Sequence, residues 1–231
     1  MPQLIGHRGT PRERPENTLS AFLRALDHGA NGIELDVHAT RDGVVVVHHD
    51  PVLHGSARTD GRELRDLDYA EVATHDLGGG VHVPRLGDVL AAVAGRMDVY
   101  VEIKGRDIEA EVMAVVKRSA APARCAVHSF DHRAVQRALT LAPGTRGGIL
   151  LSSYLIDTVA ALRAAGAADL WQWWELVDRP LVDQVHAAGG RVIAWTVNDV
   201  RVARQLATMG VDALCTDDLP PMRDAFASGV E

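Results

Sequence analysis

Two histidines, three carboxylates, an arginine and a lysine are the residues of this chain whose types and spacing could do chemistry. They fall in four short stretches: Gly6-His7-Arg8-Gly9, Glu34-Leu35-Asp36, His49-Asp50 and Glu102-Ile103-Lys104. Glu34 and Asp36 stand two apart in an apolar run, so on a strand both side chains face one side, with roughly 7 Å between their Cα atoms. Glu102 and Lys104 repeat that spacing. Three carboxylates converging at one mouth would repel, each close pair by on the order of 4 kcal/mol at an effective dielectric of about 20. Two arrangements relieve the repulsion. A hard divalent cation takes oxygen ligands at about 2.0 to 2.6 Å. Alternatively, Arg8 and Lys104 form salt bridges with the acids. The residues alone leave both open.

His7 and His49 are the natural proton-transfer pair. An unperturbed imidazole titrates near a pKa of about 6.5, so one ring can be neutral while the other is protonated. Arg8 and Lys104 suit the oxygens of an anionic substrate, Arg through its planar fork and Lys as a point charge. His28, His132 and His186 fall in helical stretches and read as structural. His48 and His49 should face opposite ways on an extended segment, and His49, beside Asp50, is the one expected at the site.

Chemistry of this kind needs elements that bring four distant stretches together. Residues 3–6 read as a first strand, and residues 17–28 as a helix with Leu19, Phe22, Leu23 and Leu26 at helical spacing. Residues 32–38 form a second strand, and the valine run 44–48 a third extended piece. Arg41-Asp42-Gly43 between them carries a tight-turn signal. Residues 51–84 break the rhythm and read as an insertion with short local structure. Regular alternation then resumes, with strands expected at 99–104, 125–129, 147–151, 168–173, 192–197 and 213–216, and helices between them and after the last. About eight strand–helix units imply a parallel sheet with right-handed crossovers. In a chain of 231 residues that count favours a closed (β/α)8 TIM barrel forming a single domain over an open sheet. Active sites of such barrels lie at the carboxyl ends of the strands, and the polar stretches fall at those ends.

Composition removes other classes. The formal net charge is −7 and no run of Lys or Arg forms a basic stripe, which excludes the clustered cations that nucleic-acid binding needs. No stretch approaches the ~20 apolar residues of a membrane span, and stable membrane association is not expected. The amino terminus has no basic segment followed by an apolar core, so no secretory signal is visible. Cys125 and Cys215 are the two cysteines, read as reduced core thiols of a cytoplasmic protein.

Taken in order, Gly-His-Arg-Gly, Glu16-Asn17-Thr18, Gly32-Ile33-Glu34-Leu35-Asp36-Val37, Asp42-Gly43 and Val47-His48-His49-Asp50 resemble the glycerophosphodiester phosphodiesterase family. Val101-Glu102-Ile103-Lys104, His128-Ser129-Phe130-Asp131, Ala194-Trp195-Thr196-Val197-Asn198, and Gly210-Val211-Asp212-Ala213 with Thr216-Asp217 extend the likeness from about Leu4 to Pro220. Each tripeptide is a weak signal; the ordered set is specific. The resemblance implies a TIM barrel that hydrolyses small-molecule glycerophosphodiesters to sn-glycerol 3-phosphate and an alcohol. It matches His7 and His49 to the general acid/base histidines, and Glu34, Asp36 and Glu102 to ligands of one divalent cation, Mg²⁺ or Ca²⁺. Arg8 and Lys104 match phosphate-contacting positions. Asn17 caps the first helix or, with Glu16, reaches the site; a supporting role is expected.

Two stretches depart from the family pattern or stand out. After His-Asp, the family commonly has an apolar residue and then Arg-Thr-Thr. Here Leu53 is followed by His54-Gly55-Ser56-Ala57 before Arg58-Thr59, which bears on the alcohol side of the substrate. The cluster Trp171-Gln172-Trp173-Trp174, with Trp195 on the next strand, predicts an apolar wall in which Trp173 and Trp195 contact substrate. Two rival readings use the same residues: a lysophospholipase D-like activity on lipids, and a non-catalytic barrel that binds glycerol phosphates.

Overall fold

The computed structural model describes residues 1–53 and 61–227. Eight parallel strands close on themselves: β1 (Gln3–Gly6), β2 (Gly32–Ala39), β4 (Asp98–Ile103), β5 (Cys125–Ser129), β6 (Arg146–Leu151), β7 (Asp169–Trp173), β8 (Arg191–Trp195) and β9 (Ala213–Thr216). β1 pairs with both β2 and β9, which completes the ring. β3 (Val45–Val47) lies outside it, antiparallel to the end of β2, and returns through a turn in which Gly43 donates to the Thr40 carbonyl. The expected TIM barrel is the fold, and the valine run is an attachment to its second strand.

Helices α1 (Leu19–Asp27), α3 (Leu86–Val93), α4 (Glu109–Arg118), α5 (His132–Leu141), α6 (Thr158–Ala165), α7 (Arg179–Ala187), α8 (Val200–Thr208) and α9 (Leu219–Ala227) alternate with the barrel strands; the short α2 (Tyr69–Ala73) belongs to the insertion. Four of these helices begin on an aspartate whose carboxylate accepts a backbone N–H: Asp131, Asp157, Asp178 and Asp199. Such a cap contributes about 0.5–2 kcal/mol and fixes where each loop over the barrel mouth turns into helix. No helix among the described residues is long and apolar enough to cross a membrane.

Two apolar layers hold the barrel. The outer one, between strands and helices, is built from aliphatic side chains such as Ile33, Leu35, Val101, Val127 and Leu170. The inner one fills the barrel itself with Ile5, Tyr100, Ala126, Leu150, Trp171, Ile193, Ala213 and Cys215. Alternation along each strand separates them, since successive side chains face opposite sides. Trp171 is accommodated because Gly148 faces it from β6: a Cβ at Gly148 would come within 2.8 Å of the indole. Below this layer, Arg146 and Arg191 flank buried Asp169 at 3.3 and 3.5 Å. Cys125 and Cys215 are both buried and unpaired.

Residues 51–84 do carry short local structure. Leu53, Leu64, Leu67, Val72 and Val83 pack with Val46 of β3 into a small separate core, and Arg41 pins the segment through both carboxylate oxygens of Asp68. The departure at His54-Gly55-Ser56-Ala57 lies outside the described residues.

Candidate active site

Strand register stacks the acids above the inner layer. Glu34 is level with Tyr100, while Asp36, Glu102 and His128 lie level with one another on β2, β4 and β5. Glu34 and Asp36 are both buried, as their shared face requires. Glu102 and Lys104 do meet at the mouth, with Nζ 3.3 Å from Oε1.

The Gly-His-Arg-Gly turn follows from close packing. A Cβ on Gly6 would lie 2.4 Å from the Gly9 carbonyl oxygen, and one on Gly9, at φ +91°, would lie 2.7 Å from the Ala21 Cβ of α1. Both positions therefore need glycine. The tight turn holds Arg8 at φ 51°, and from there it reaches inward. Its backbone N–H donates to Glu34 Oε2 at 3.1 Å, and its guanidinium meets Asp36 Oδ2 at 3.2 Å and Glu16 Oε1 at 2.9 Å.

Asp36 is the best-supported acid. Asn17 donates to its Oδ2 at 2.8 Å and accepts from its backbone N–H at 3.3 Å, while Lys104 Nζ stands 3.6 Å from Oδ1. Burial opposes its charge, but Arg8, Lys104 and Asn17 outweigh that and hold the carboxyl below its usual range. Glu34 is the opposite case. Burial first, then the charges of Asp36 and Glu102, push it well above the ordinary carboxylate range. Glu102 is pushed up to about 7 by burial and by Asp36. Asn17 supports the site, but it does not cap α1: the cap is Thr18, whose hydroxyl accepts the Ala21 N–H. Asn17 instead sits at φ 56° with its amide turned to Asp36.

The two histidines are held alike. Nδ1 of His7 lies 2.7 Å from Asp217 Oδ1, and Nδ1 of His49 lies 2.7 Å from Asp50 Oδ1. A carboxylate can only accept, so each ring carries its proton on Nδ1 and turns Nε2 to the site. Nε2 of His7 is 4.0 Å from Glu34, and Nε2 of His49 is 3.1 Å from Lys104 Nζ. Burial works against the charge of Asp217, yet the hydrogen bond and charge of His7, with Asn198, keep its carboxyl below the usual range. His48 turns the other way, its Nδ1 donating to the Asp50 carbonyl at 2.9 Å; the strand ends at Val47, so the pair follows the strand rather than lying within it.

His7, Arg8, Glu34, His49, Glu102 and Lys104 all border one small cavity of about 90 Å³, with Trp195 on its rim. A wider cleft of about 810 Å³ opens beside Glu102 and Lys104, over Phe130, Arg106, Arg133 and Arg137. The tryptophans divide. Trp171 is in the barrel interior and Trp174 packs into the outer core. Trp173, 37 % exposed, meets Trp195 edge-on at 5.5 Å, and Phe130 meets Trp195 from another side at 5.5 Å. Trp171, Trp195 and Phe130 line the small cavity together, while Trp173 packs on Trp195 without lining it and Trp174 lies away from it.

Three further residues reach this centre: His128 and Asn198, which the family-like motifs contain without an assigned role, and His38. His128 is 1 % exposed and stacks on Trp171 with ring centroids 4.2 Å apart; burial drives its pKa down to about 3, so the ring is neutral. His38 continues the Glu34–Asp36 row on β2 and donates to the His49 carbonyl at 3.1 Å, bracing that segment. Asn198 donates to Asp217 Oδ2 at 2.7 Å. The available signal was a lone polar side chain near the end of an apolar strand, as in Cys125-Ala126-Val127-His128.

The donor chemistry fits a divalent cation. Glu34 Oε1 is buried with no hydrogen-bond partner, and it shares a pocket of donor atoms, all within 4.8 Å of one another, with Glu102 and His128. Asp36 borders this group, its oxygens turned to Asn17, Arg8 and Lys104.

Known proteins show the same arrangement of chain. A glycerophosphodiester phosphodiesterase of Caldanaerobacter subterraneus is 29 % identical over 228 residues, covering 93 % of each chain. The crystal structure of a glycerophosphodiester phosphodiesterase from Agrobacterium tumefaciens matches with a TM-score of 0.86 at 29 % identity, over 97 % of this chain and all of that one. An Oleispira antarctica phosphodiesterase, solved in complex with the product sn-glycerol-3-phosphate, matches with a TM-score of 0.89 at 28 % identity, over 99 % and 98 % of the two chains. The model of the glycerophosphoryl diester phosphodiesterase family matches residues 7–220, and the chain belongs to that family of phosphodiester hydrolases.

Proposed function

We propose that this chain hydrolyses small-molecule glycerophosphodiesters to sn-glycerol 3-phosphate and an alcohol, with one divalent cation held by Glu34, Asp36 and Glu102 and with His7 and His49 moving the protons. The observation that carries this reading is the pair of histidines. Each is fixed through Nδ1 by a carboxylate at 2.7 Å, and both border the cavity that Glu34 and Glu102 line. The product bound in the Oleispira antarctica phosphodiesterase supports the glycerol phosphate half.

Phosphodiester hydrolysis must activate a nucleophile and protonate a poor alkoxide leaving group. Two imidazoles on one cavity divide that work, one accepting a proton at Nε2 and the other donating one there. Asp217 and Asp50 keep the rings oriented and stabilise the charge each gains. Arg8 and Lys104 bind the phosphate oxygens, and Lys104 leaves the His49 lone pair when a phosphate draws it away. Glu34, Asp36 and Glu102 would hold the cation, Mg²⁺ or Ca²⁺ for so oxygen-rich a donor set, which would supply positive charge against the phosphate. Asp36 would join the ligands through Oδ1 as Lys104 turns to the phosphate. The alcohol extends past the wall of Phe130, Trp195 and Trp173 toward the wider cleft. Two buried, unpaired thiols suit a cytoplasmic enzyme.

Following glycerol 3-phosphate release from glycerophosphocholine, glycerophosphoethanolamine and glycerophosphoglycerol, and choline release from lysophosphatidylcholine micelles, tests this reading. Turnover of the water-soluble diesters is expected. Tight binding of glycerol 3-phosphate without turnover of any diester would sink it in favour of a binding barrel, and turnover of the micelles alone in favour of a lipid enzyme.

A further inference from the structure

His128 is an expensive residue in its position. It lies on β5, stacked on Trp171 and lining the small cavity with Leu150, Glu34 and Glu102, and neither of its ring nitrogens has a hydrogen-bond partner among the described residues. An apolar side chain would fill that space without leaving two buried polar atoms unsatisfied. The ring is also held firmly. It lies flat on the Trp171 indole, with 10° between the planes, and Gly148, level with it on β6, leaves the room that the indole occupies.

Its Nε2 points at Glu34 Oε1, 3.8 Å away, an oxygen that is itself buried and unpartnered. With a donor atom of Glu102, these lie within 4.8 Å of one another. Donors sharing one cation at about 2.0–2.3 Å stand on the order of 3 to 4.5 Å apart, so a small side-chain adjustment brings all three onto one ion. We propose that His128 is a nitrogen ligand of the cation held by Glu34 and Glu102. The inference rests on the reading of those carboxylates as cation ligands. Mn²⁺ shares the carboxylate and water preference of Mg²⁺ and Ca²⁺, so it serves as a paramagnetic probe of the same site. Stacking on Trp171 sets the ring plane, which a carboxylate or water bridging to the hidden Nδ1 would otherwise do.

Electron spin-echo spectroscopy of Mn²⁺ bound to the full chain reads ligation directly, without activity. One equivalent of Mn²⁺ is expected to show ¹⁴N modulation in the wild type and none in His128→Gln. Calorimetry of the same samples is expected to show Mn²⁺ binding at least about tenfold weaker in His128→Gln. His128→Asn, a smaller change, serves if the melting curve shows that Gln disturbs folding. Mn²⁺ bound without nitrogen coupling, or with coupling that persists in both variants, overturns the role of His128 while leaving the carboxylate site standing. Failure of the wild type to bind Mn²⁺, Mg²⁺ or Ca²⁺ overturns the cation reading and this inference together.

Discussion

Asp217, at the end of the last barrel strand, holds Nδ1 of His7, at the end of the first, at 2.7 Å. The closure of the ring between β1 and β9 is what lets 210 residues of chain separate two side chains in direct contact. That contact sets the His7 tautomer and leaves Nε2 facing the cavity. Replacing His7 or His49 by Ala should lower kcat by about 10² to 10⁴, the range for a lost general acid or base. Asp217→Asn should cost less than His7→Ala, since the ring remains. Steady-state kinetics on the three proteins checks the order; His7→Ala with near-wild-type turnover would contradict the assignment.

Glu102 titrates at about 7 instead of 4.5, and Glu34 is also pushed up, so a cation must displace protons to bind. Calorimetry in buffers of different ionisation enthalpy should show proton release near neutral pH, with affinity rising as pH rises through about 7. Stability has the opposite sign. A raised carboxyl pKa contributes stability that is complete below the unfolded value and lost as pH climbs through the folded one. The melting temperature of the cation-free chain should therefore fall between about pH 5 and about pH 8, and the gap to the cation-saturated chain should widen. A gap that is constant across that range would count against a shared site.

Asn17 is held at φ 56° with its amide on Asp36. Asn17→Gly keeps the backbone shape but strips the hydrogen bond, leaving a buried acceptor less satisfied, and should cost about 1–3 kcal/mol. Asn17→Ala adds left-handed strain of roughly 1–2 kcal/mol. Chemical denaturation should rank wild type above Gly above Ala. Equal stability of all three would show that Asp36 does not depend on Asn17.

Which of these contacts the sequence discloses depends on their range. Alternation along a single strand was enough to put Glu34 and Asp36 on one face, and strand–helix periodicity was enough for the barrel. Asp-Gly at Asp42-Gly43 marked the β2–β3 return. Contacts between distant strands were not legible in that way. His128 reads as one polar residue in an apolar strand until register sets it level with Glu102, and nothing local links Asp217 to His7. By spacing, Trp171 and Trp173 share a strand face and Trp174 begins the loop past it. Strand alternation and the loop after β7 send Trp171 inward and Trp174 to the outer core, while Phe130 arrives at the wall from the end of β5. Asn17 looked like a helix cap because it is a capping residue type one position early; its positive φ is a tertiary effect of the Asp36 contact.

Trp173 touches Trp195 edge-on at the mouth and is partly exposed. Trp173→Ala should raise KM for diesters with bulky alcohols more than for glycerophosphoglycerol, with kcat little changed, because Trp173 does not line the cavity of the acids. A KM panel over the head groups checks this. Unchanged KM for every diester would remove the tryptophan wall from substrate binding.

The most direct test of the central claim is glycerol 3-phosphate release from glycerophosphocholine by chelator-stripped protein titrated with Mg²⁺ or Ca²⁺. The site predicts no turnover when stripped and recovery along a single-site curve that saturates near one equivalent of bound cation, with Glu34→Gln failing to recover. Full turnover in excess chelator, or recovery in Glu34→Gln at the same cation concentration, would contradict it.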